Sequence, residues 1–213
     1  MNETDYGVTF MDPAAIEKRS MEIIESELTV PLSEDIKPIV KRVIHTTADF
    51  SFAENMRFTP GVVELIRNML SSGATLITDT NMALTGISKP SLSRLGVTAL
   101  CYMSDEEVMR EAKSRGLTRA VVSMEKALQL PGPKVFVCGN APTFLLPLLN
   151  LVTPPEDIAV IGVPVGFVNV VEVKEKLWAC GLPCIVAMGR RGGSNVAAAI
   201  INALLYGIPG VRS

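Results

Sequence analysis

The sequence predicts an α/β chain, a three-layer α/β/α sandwich on a mainly parallel sheet of five strands. Two observations carry this expectation. Five short segments, 74–78, 97–101, 134–138, 158–162 and 183–188, are apolar or β-branched on consecutive positions and bounded by Gly, Pro or Asp. That is how strands covered on both faces read. Segments with apolar residues three and four apart lie between them, and such alternation calls for right-handed crossovers with helices on both faces.

In chain order, the first 50 residues supply two helices, 13–28 and 33–47, and no strand. In the second, Ile36, Ile39, Val40, Val43 and Ile44 form an apolar stripe. Helical patterns then follow at 59–71, 104–115, 119–128, 143–149, 168–179 and 195–206, with Thr118 placed to cap the third of these. No repeat, low-complexity segment or linker divides the chain, so 1–213 is read as one domain.

Composition narrows the function classes. Apolar residues make up 48% and charged ones 20%, which fits a globular protein. The net charge is −2, from 20 basic and 22 acidic side chains, so no general attraction to nucleic acid or an anionic membrane follows. Recognition of an anion has to be local. No signal peptide and no membrane span are expected, and a cytoplasmic setting fits best. Cys101, Cys138, Cys180 and Cys184 lack an accompanying histidine and read as reduced thiols rather than zinc ligands.

His45 is the single histidine of the chain. Imidazole is the one side chain whose ordinary pKa makes it ready to exchange a proton near neutral pH, so it is the natural acid/base candidate. On a helix, Lys41, His45 and Asp49 would lie in one row beside the apolar stripe, with Arg42 three residues away. These charges push an imidazole in opposite directions. The plainer alternative is a histidine on the edge of an amphipathic helix.

Ligands of open sheets settle outside the carboxyl ends of the strands. Four of the five predicted ends here carry Gly with Asn, Thr or Ser: Thr78-Asp79-Thr80-Asn81 continuing to Thr85-Gly86, Gly139-Asn140-Ala141-Pro142-Thr143, Gly162-Val163-Pro164-Val165-Gly166-Phe167-Val168-Asn169, and Gly189-Arg190-Arg191-Gly192-Gly193-Ser194. Turns alone account for some of this. The last loop runs directly into a strong helix. Glycine admits close approach, a helix N-terminus offers free N–H groups and arginine forks onto carboxylates, which together build an anion site. A capped helix start with two solvated arginines is the alternative. The candidate substrate contacts in these loops are Thr85, Asn140, Asn169, Arg190, Gly192, Gly193 and Ser194.

Together with Ile16-Glu17-Lys18-Arg19-Ser20 and Arg42-Val43-Ile44-His45-Thr46-Thr47-Ala48-Asp49, these loops resemble the precorrin-8X methylmutases, including the cobalt-precorrin-8 enzymes of cobalamin biosynthesis. The resemblance implies a flavodoxin-like isomerase, a homodimer, that moves a methyl group from C-11 to C-12 of a tetrapyrrole. It implies His45 as the acid/base and substrate contacts at Arg19, Ser20, Arg42 and Arg119. Ala120 departs from the serine that often follows this arginine. No dissociable cofactor is implied, since cobalt, where present, rides on the substrate, and hand-off of product to the next enzyme is expected. A non-catalytic corrinoid carrier and a nucleotide- or S-adenosylmethionine-dependent transferase are the competing readings.

Overall fold

The structure, a computed structural model, describes residues 12–151, 155 and 157–211. The chain opens with three helices, α1 (Pro13–Glu27), α2 (Lys37–Thr47) and α3 (Phe52–Asn55), followed by strand β1 (Met56–Phe58) and helix α4 (Val62–Ser71). Strand β2 (Thr75–Thr78), helices α5 (Asn81–Gly86) and α6 (Lys89–Leu95) and strand β3 (Ala99–Leu100) come next. Helices α7 (Glu106–Arg115) and α8 (Arg119–Leu128) precede strand β4 (Lys134–Cys138), which leads through a 3₁₀ turn (Pro142–Leu145) into α9 (Leu146–Leu149). The chain then adds β5 (Ile158–Gly162), α10 (Val170–Ala179), β6 (Cys184–Ala187) and α11 (Ser194–Tyr206).

The strands form one sheet in the order β1-β6-β5-β4-β2-β3. All neighbours are parallel except β1, which runs antiparallel to β6 with Met56 opposite Ala187. Among the described residues the sheet therefore has six strands, not the five expected. The extra one is three residues long with Arg57 in its middle, too short and too polar to read as a strand without its partner. The five parallel strands alone follow the flavodoxin-type order 2-1-3-4-5.

Strand side chains alternate between two apolar layers. Leu76, Val135, Val137, Ala159, Ile161 and Ile185 face a core shared with α2, α4 and α11. Ile77, Phe136, Cys138, Ile158, Val160 and Val186 face a second core shared with α8, α9 and α10. That is the three-layer sandwich the consecutive apolar runs predicted. Each fully buried Val, Leu or Ile here contributes about 1.5–3 kcal/mol relative to exposure. Helix α11 is buried along most of its length and packs against α2, α4 and α5. Its position is therefore fixed by the core.

Several element limits moved for local reasons. Helix α4 starts at Val62 rather than at residue 59, because Gly61 is left-handed at φ 72° and ends the preceding turn. Helix α2 stops at Thr47, where Ala48 turns left-handed at φ 53°. That stop overturns the expected row of Lys41, His45 and Asp49, since Asp49 lies beyond the helix. Helices α5 and α6, six and seven residues long, are too short to show a period. Thr118 caps α8 as expected, accepting from the Val121 amide at 3.3 Å.

Candidate active site

The strand order reverses between β2 and β4, which puts the ligand crevice of this fold at their carboxyl ends. There the chain supplies a carboxyl group of its own. Asp79, directly after β2, is fully buried and accepts from the amides of Gly139 (2.9 Å), Asn140 (2.6 Å) and Ala141 (2.7 Å). The Cys138 thiol donates to it at 3.6 Å. Burial raises the Asp79 carboxyl above the usual range, outweighing the three amide bonds that pull it down. The amides of the β4 loop are thus engaged within the protein, while the Asn140 side chain is exposed.

The other loops close around this point. The hydroxyls of Thr80 and Ser194 lie 2.8 Å apart, joining the start of α5 to the start of α11. Ser194 is buried in that contact. A side chain on Gly139 would come within 2.8 Å of the Ser194 Cα, so glycine permits the β4 and β6 loops to touch. The Gly193 amide donates to the Val163 carbonyl at 2.9 Å, and the Gly166 amide to the Arg190 carbonyl at 3.1 Å. Gly192 packs on that Val163 carbonyl, where a Cβ has no room. The guanidinium of Arg190 stacks 5.5 Å from the ring centre of exposed Phe167.

What remains open in this cluster is a run of N–H groups. Among the described residues, the amides of Gly189, Arg190, Arg191 and Gly192 have no acceptor. Nor does any side chain cap the first turn of α11, at Ser194, Asn195 and Val196. Two exposed arginines flank the same stretch. Unpaired amides, a helix N-terminus and guanidinium groups together suit carboxylate binding.

His45 lies in the last turn of α2, exposed, with no hydrogen-bond or ion-pair partner among the described residues. Its cationic neighbours are both matched: Lys41 pairs with Glu25 at 2.8 Å, and Arg42 with Glu17 at 2.7 Å. Arg42 also stacks 5.5 Å from the Tyr206 ring centre on α11. Just past the helix, Asp49 pairs with Arg191 Nε at 3.2 Å, and Arg191 donates to the Ser51 hydroxyl. The segment that carries His45 is thereby tied to the arginine loop.

The remaining candidates are more scattered. Arg19 is exposed on α1 and pairs with Glu22 at 3.4 Å, while the Ser20 hydroxyl donates to the Ile16 carbonyl. Among the described residues, neither is bonded to the strand-end loops. Thr85 is exposed on α5 and lines a separate groove of about 420 Å³ with Leu84, Lys89, Leu92 and Ser93. Arg119 is exposed at the start of α8, near the strand ends, and donates to the Met103 carbonyl at 3.0 Å. Ala120 beside it is buried in the second core. Asn169 is exposed, in a left-handed conformation at φ 59°, and heads α10.

Sequence reasoning gave no role to Asp79, to the Asp49–Arg191 pair or to Lys174. Lys174 had a visible signal, since Val170, Val173, Lys174 and Leu177 share one helical face. Asp79 lay in the Thr78-Asp79-Thr80 motif after a strand, with nothing to show which groups it would bond.

Comparison with known proteins agrees with this architecture. Residues 15–207 match the family model described as Precorrin-8X methylmutase. The chain is 42% identical to the cobalt-precorrin-8 methylmutase of Salmonella typhimurium, over 91% of this chain and 95% of that one. It is 39% identical to the cobalt-precorrin-8 methylmutase of Priestia megaterium, over 94% and 91%. The crystal structure of the precorrin-8X methylmutase from Thermus thermophilus superposes with a TM-score of 0.83 at 35% identity, covering 91% of this chain and 95% of that one. The chain belongs to the precorrin-8X methylmutase family, and is an isomerase of the methylmutase class.

Proposed function

We propose that the protein moves the methyl group of cobalt-precorrin-8 from C-11 to C-12, with His45 as the proton donor and acceptor and cobyrinate as the product. The metal-free ring would give hydrogenobyrinate. The observation that carries this reading is the pairing of an exposed, unengaged His45 with a neighbouring loop of open amides and arginines, joined through Asp49 and Arg191. A broad apolar ring rimmed with acetates and propionates needs such an arrangement: anion contacts at the rim and a proton donor at one edge.

In this mechanism His45 protonates the conjugated ring system near C-11, which makes it a better electron sink. The methyl group migrates as a 1,5-sigmatropic shift, and the proton returns to His45. The C-11 to methyl bond breaks as the C-12 to methyl bond forms, with no net redox change and no external methyl donor. No dissociable cofactor is therefore required, and cobalt rides on the substrate. General acid catalysis supplies about 10²- to 10⁴-fold, and holding the ring in its reactive shape supplies the rest.

Arg119, Arg190, Asn140, Asn169 and the Gly192–Ser194 backbone serve as rim contacts in this reading, with Thr85 at its margin. Arg19, Ser20 and Arg42 are engaged within the chain and would exchange those partners for substrate carboxylates. The similarity to enzymes named for cobalt-precorrin-8, at 42% and 39% identity, supports the cobalt-bearing ring as substrate. The homodimer, the cytoplasmic setting and product hand-off belong to the same proposal.

The test is the absorption spectrum of the purified protein incubated with precorrin-8 or its cobalt form, run beside His45→Ala. Conversion to the methyl-migrated spectrum by wild type, with binding but little turnover by the variant, is the expected result. A variant that turns over at the wild-type rate sinks the role of His45. Binding without conversion by either protein favours a corrinoid carrier.

A further inference from the structure

The open amides of the arginine loop have a counterpart in three of its carbonyls, those of Gly189, Arg190 and Arg191, which are engaged within the protein. Lys174 on α10 is fully buried. Its ammonium donates to the Gly189 carbonyl at 2.9 Å and to the Arg191 carbonyl at 2.7 Å, the two that flank Arg190. The Arg190 carbonyl takes the amide of Gly166 at 3.1 Å. Three consecutive carbonyls are satisfied in this way, while the amides of the same stretch are left without acceptors.

Among the described residues no carboxylate pairs with the Lys174 cation. The titratable group facing it is the Cys138 thiol on β4, which is itself bonded to Asp79. A buried ammonium without an anion is costly, and two carbonyl bonds offset only part of that cost. Burial accordingly draws Lys174 down to about 8. A neutral side chain would tie the loop to the helix at lower cost. An uncompensated positive charge beneath unpaired N–H groups is instead the arrangement that favours an incoming anion, because its field acts in a dry setting.

We propose that Lys174 is a positioning residue for substrate binding: it fixes the Gly189–Arg191 backbone with its N–H groups open and sets a positive charge beneath the seat of a substrate carboxylate. This rests on the reading above that the arginine loop receives substrate carboxylates. Lys174 does not touch the ring. It acts on substrate and transition state alike, so its loss should appear in KM rather than kcat.

The full chain is compared with its K174M, K174Q, K174R and R190A variants. Binding of cobyrinic acid is followed by quenching of Trp178, the single tryptophan, and turnover with cobalt-precorrin-8 by absorption. K174M should raise Kd and KM about tenfold or more while kcat stays within about twofold. K174R should recover most of the affinity. The wild-type Kd should rise as pH passes about 8, and that of K174R should not. A folded K174M protein that binds as tightly as wild type overturns the inference. Where K174M fails to fold, K174Q and the wild-type pH series decide, and a wild-type Kd that stays flat through this pH range overturns it equally. If R190A also binds normally, the loop is not the carboxylate site and the underlying reading fails. If R190A weakens binding and K174M does not, only the part assigned to Lys174 fails.

Discussion

Arg191 Nε lies 3.2 Å from Asp49 Oδ2, a contact between the loop after the last strand and the segment just beyond the helix of His45. Asp49 also accepts from the Ser51 amide at 3.0 Å, so it is held at both ends of a short turn. Two segments 140 residues apart in sequence are brought together here, where Arg191 also reaches the Ser51 hydroxyl.

Removing this link should cost little stability. The Arg191 side chain is more than half exposed, and such pairs contribute about 1 kcal/mol or less. Asp49→Ala should therefore shift the urea midpoint only slightly while weakening turnover, because the arginine loop is no longer tied to the segment of His45. The Ser51 hydroxyl, then the Ser51 amide and the charge of Arg191, hold the Asp49 carboxyl below its ordinary value of 3.8. Its small contribution is thus present above about pH 3.8 and is lost as pH falls through the lower folded value. A wild-type minus D49A stability difference that vanishes already near neutral pH would contradict this.

Asp79 should behave quite differently. Asp79→Ala strands the amides of Gly139, Asn140 and Ala141, each a buried or part-buried donor. An unsatisfied buried donor costs about 1–3 kcal/mol, so a total loss of about 3 kcal/mol or more is expected from chemical denaturation. Asp79→Asn keeps one acceptor oxygen and should lose less. Equal stability of D79A and wild type would show that the carboxylate does not hold the β4 loop.

Gly192→Ala tests how closely the loops are packed. Its φ of 158° and the Val163 carbonyl against it leave no place for a methyl group. The Gly193 to Val163 bond must open to admit one. We expect about 1–3 kcal/mol of destabilisation, with a loss of corrinoid affinity visible by titration. Unchanged affinity would mean that this backbone is not part of the binding surface.

Lys174 gives the fold a pH dependence of definite sign. It titrates near 8 when folded and at 10.5 in its ordinary state, so the unfolded chain binds more protons between those values. Its contribution is fully present above about pH 10.5 and is lost as pH falls through about 8, a difference of up to about 3 kcal/mol. The thiols of Cys138 and Cys184, raised by burial, act in the opposite direction above about pH 9. The measurement is therefore the wild-type minus K174M difference in unfolding free energy, which should grow in favour of wild type from pH 8 to 10.5.

Much of the fold was legible because burial on both faces leaves a local trace. Strand β5 is a continuous apolar run and β4 is one after Lys134, and their limits match the sequence reading. Strand β1 was not legible, since its existence depends on a partner about 130 residues away. The left-handed turn at Ala48 was equally hidden, because alanine carries no signal for it. At the site, the glycines of the last loop announced close approach, and Gly192 and Gly193 do sit against other backbone or side chains, as does Gly139 in the β4 loop. Which amides would be open and which already taken could not be read. That depends on where Asp79 and Lys174 point, and both bond to loops distant in sequence, Asp79 to 139–141 and Lys174 to 189 and 191.

The two rims of the sheet carry a consequence for assembly. One rim is β1, three residues laid antiparallel on β6 with Pro60 close behind, and the other is β3, only two residues long. Neither presents a ladder long enough to recruit a strand from another molecule. Copies of this chain that associate through the described residues must therefore meet by side chains on helices and loops. Such a seam can be tuned or dissolved by substituting surface residues, leaving the backbone lattice inside each copy untouched.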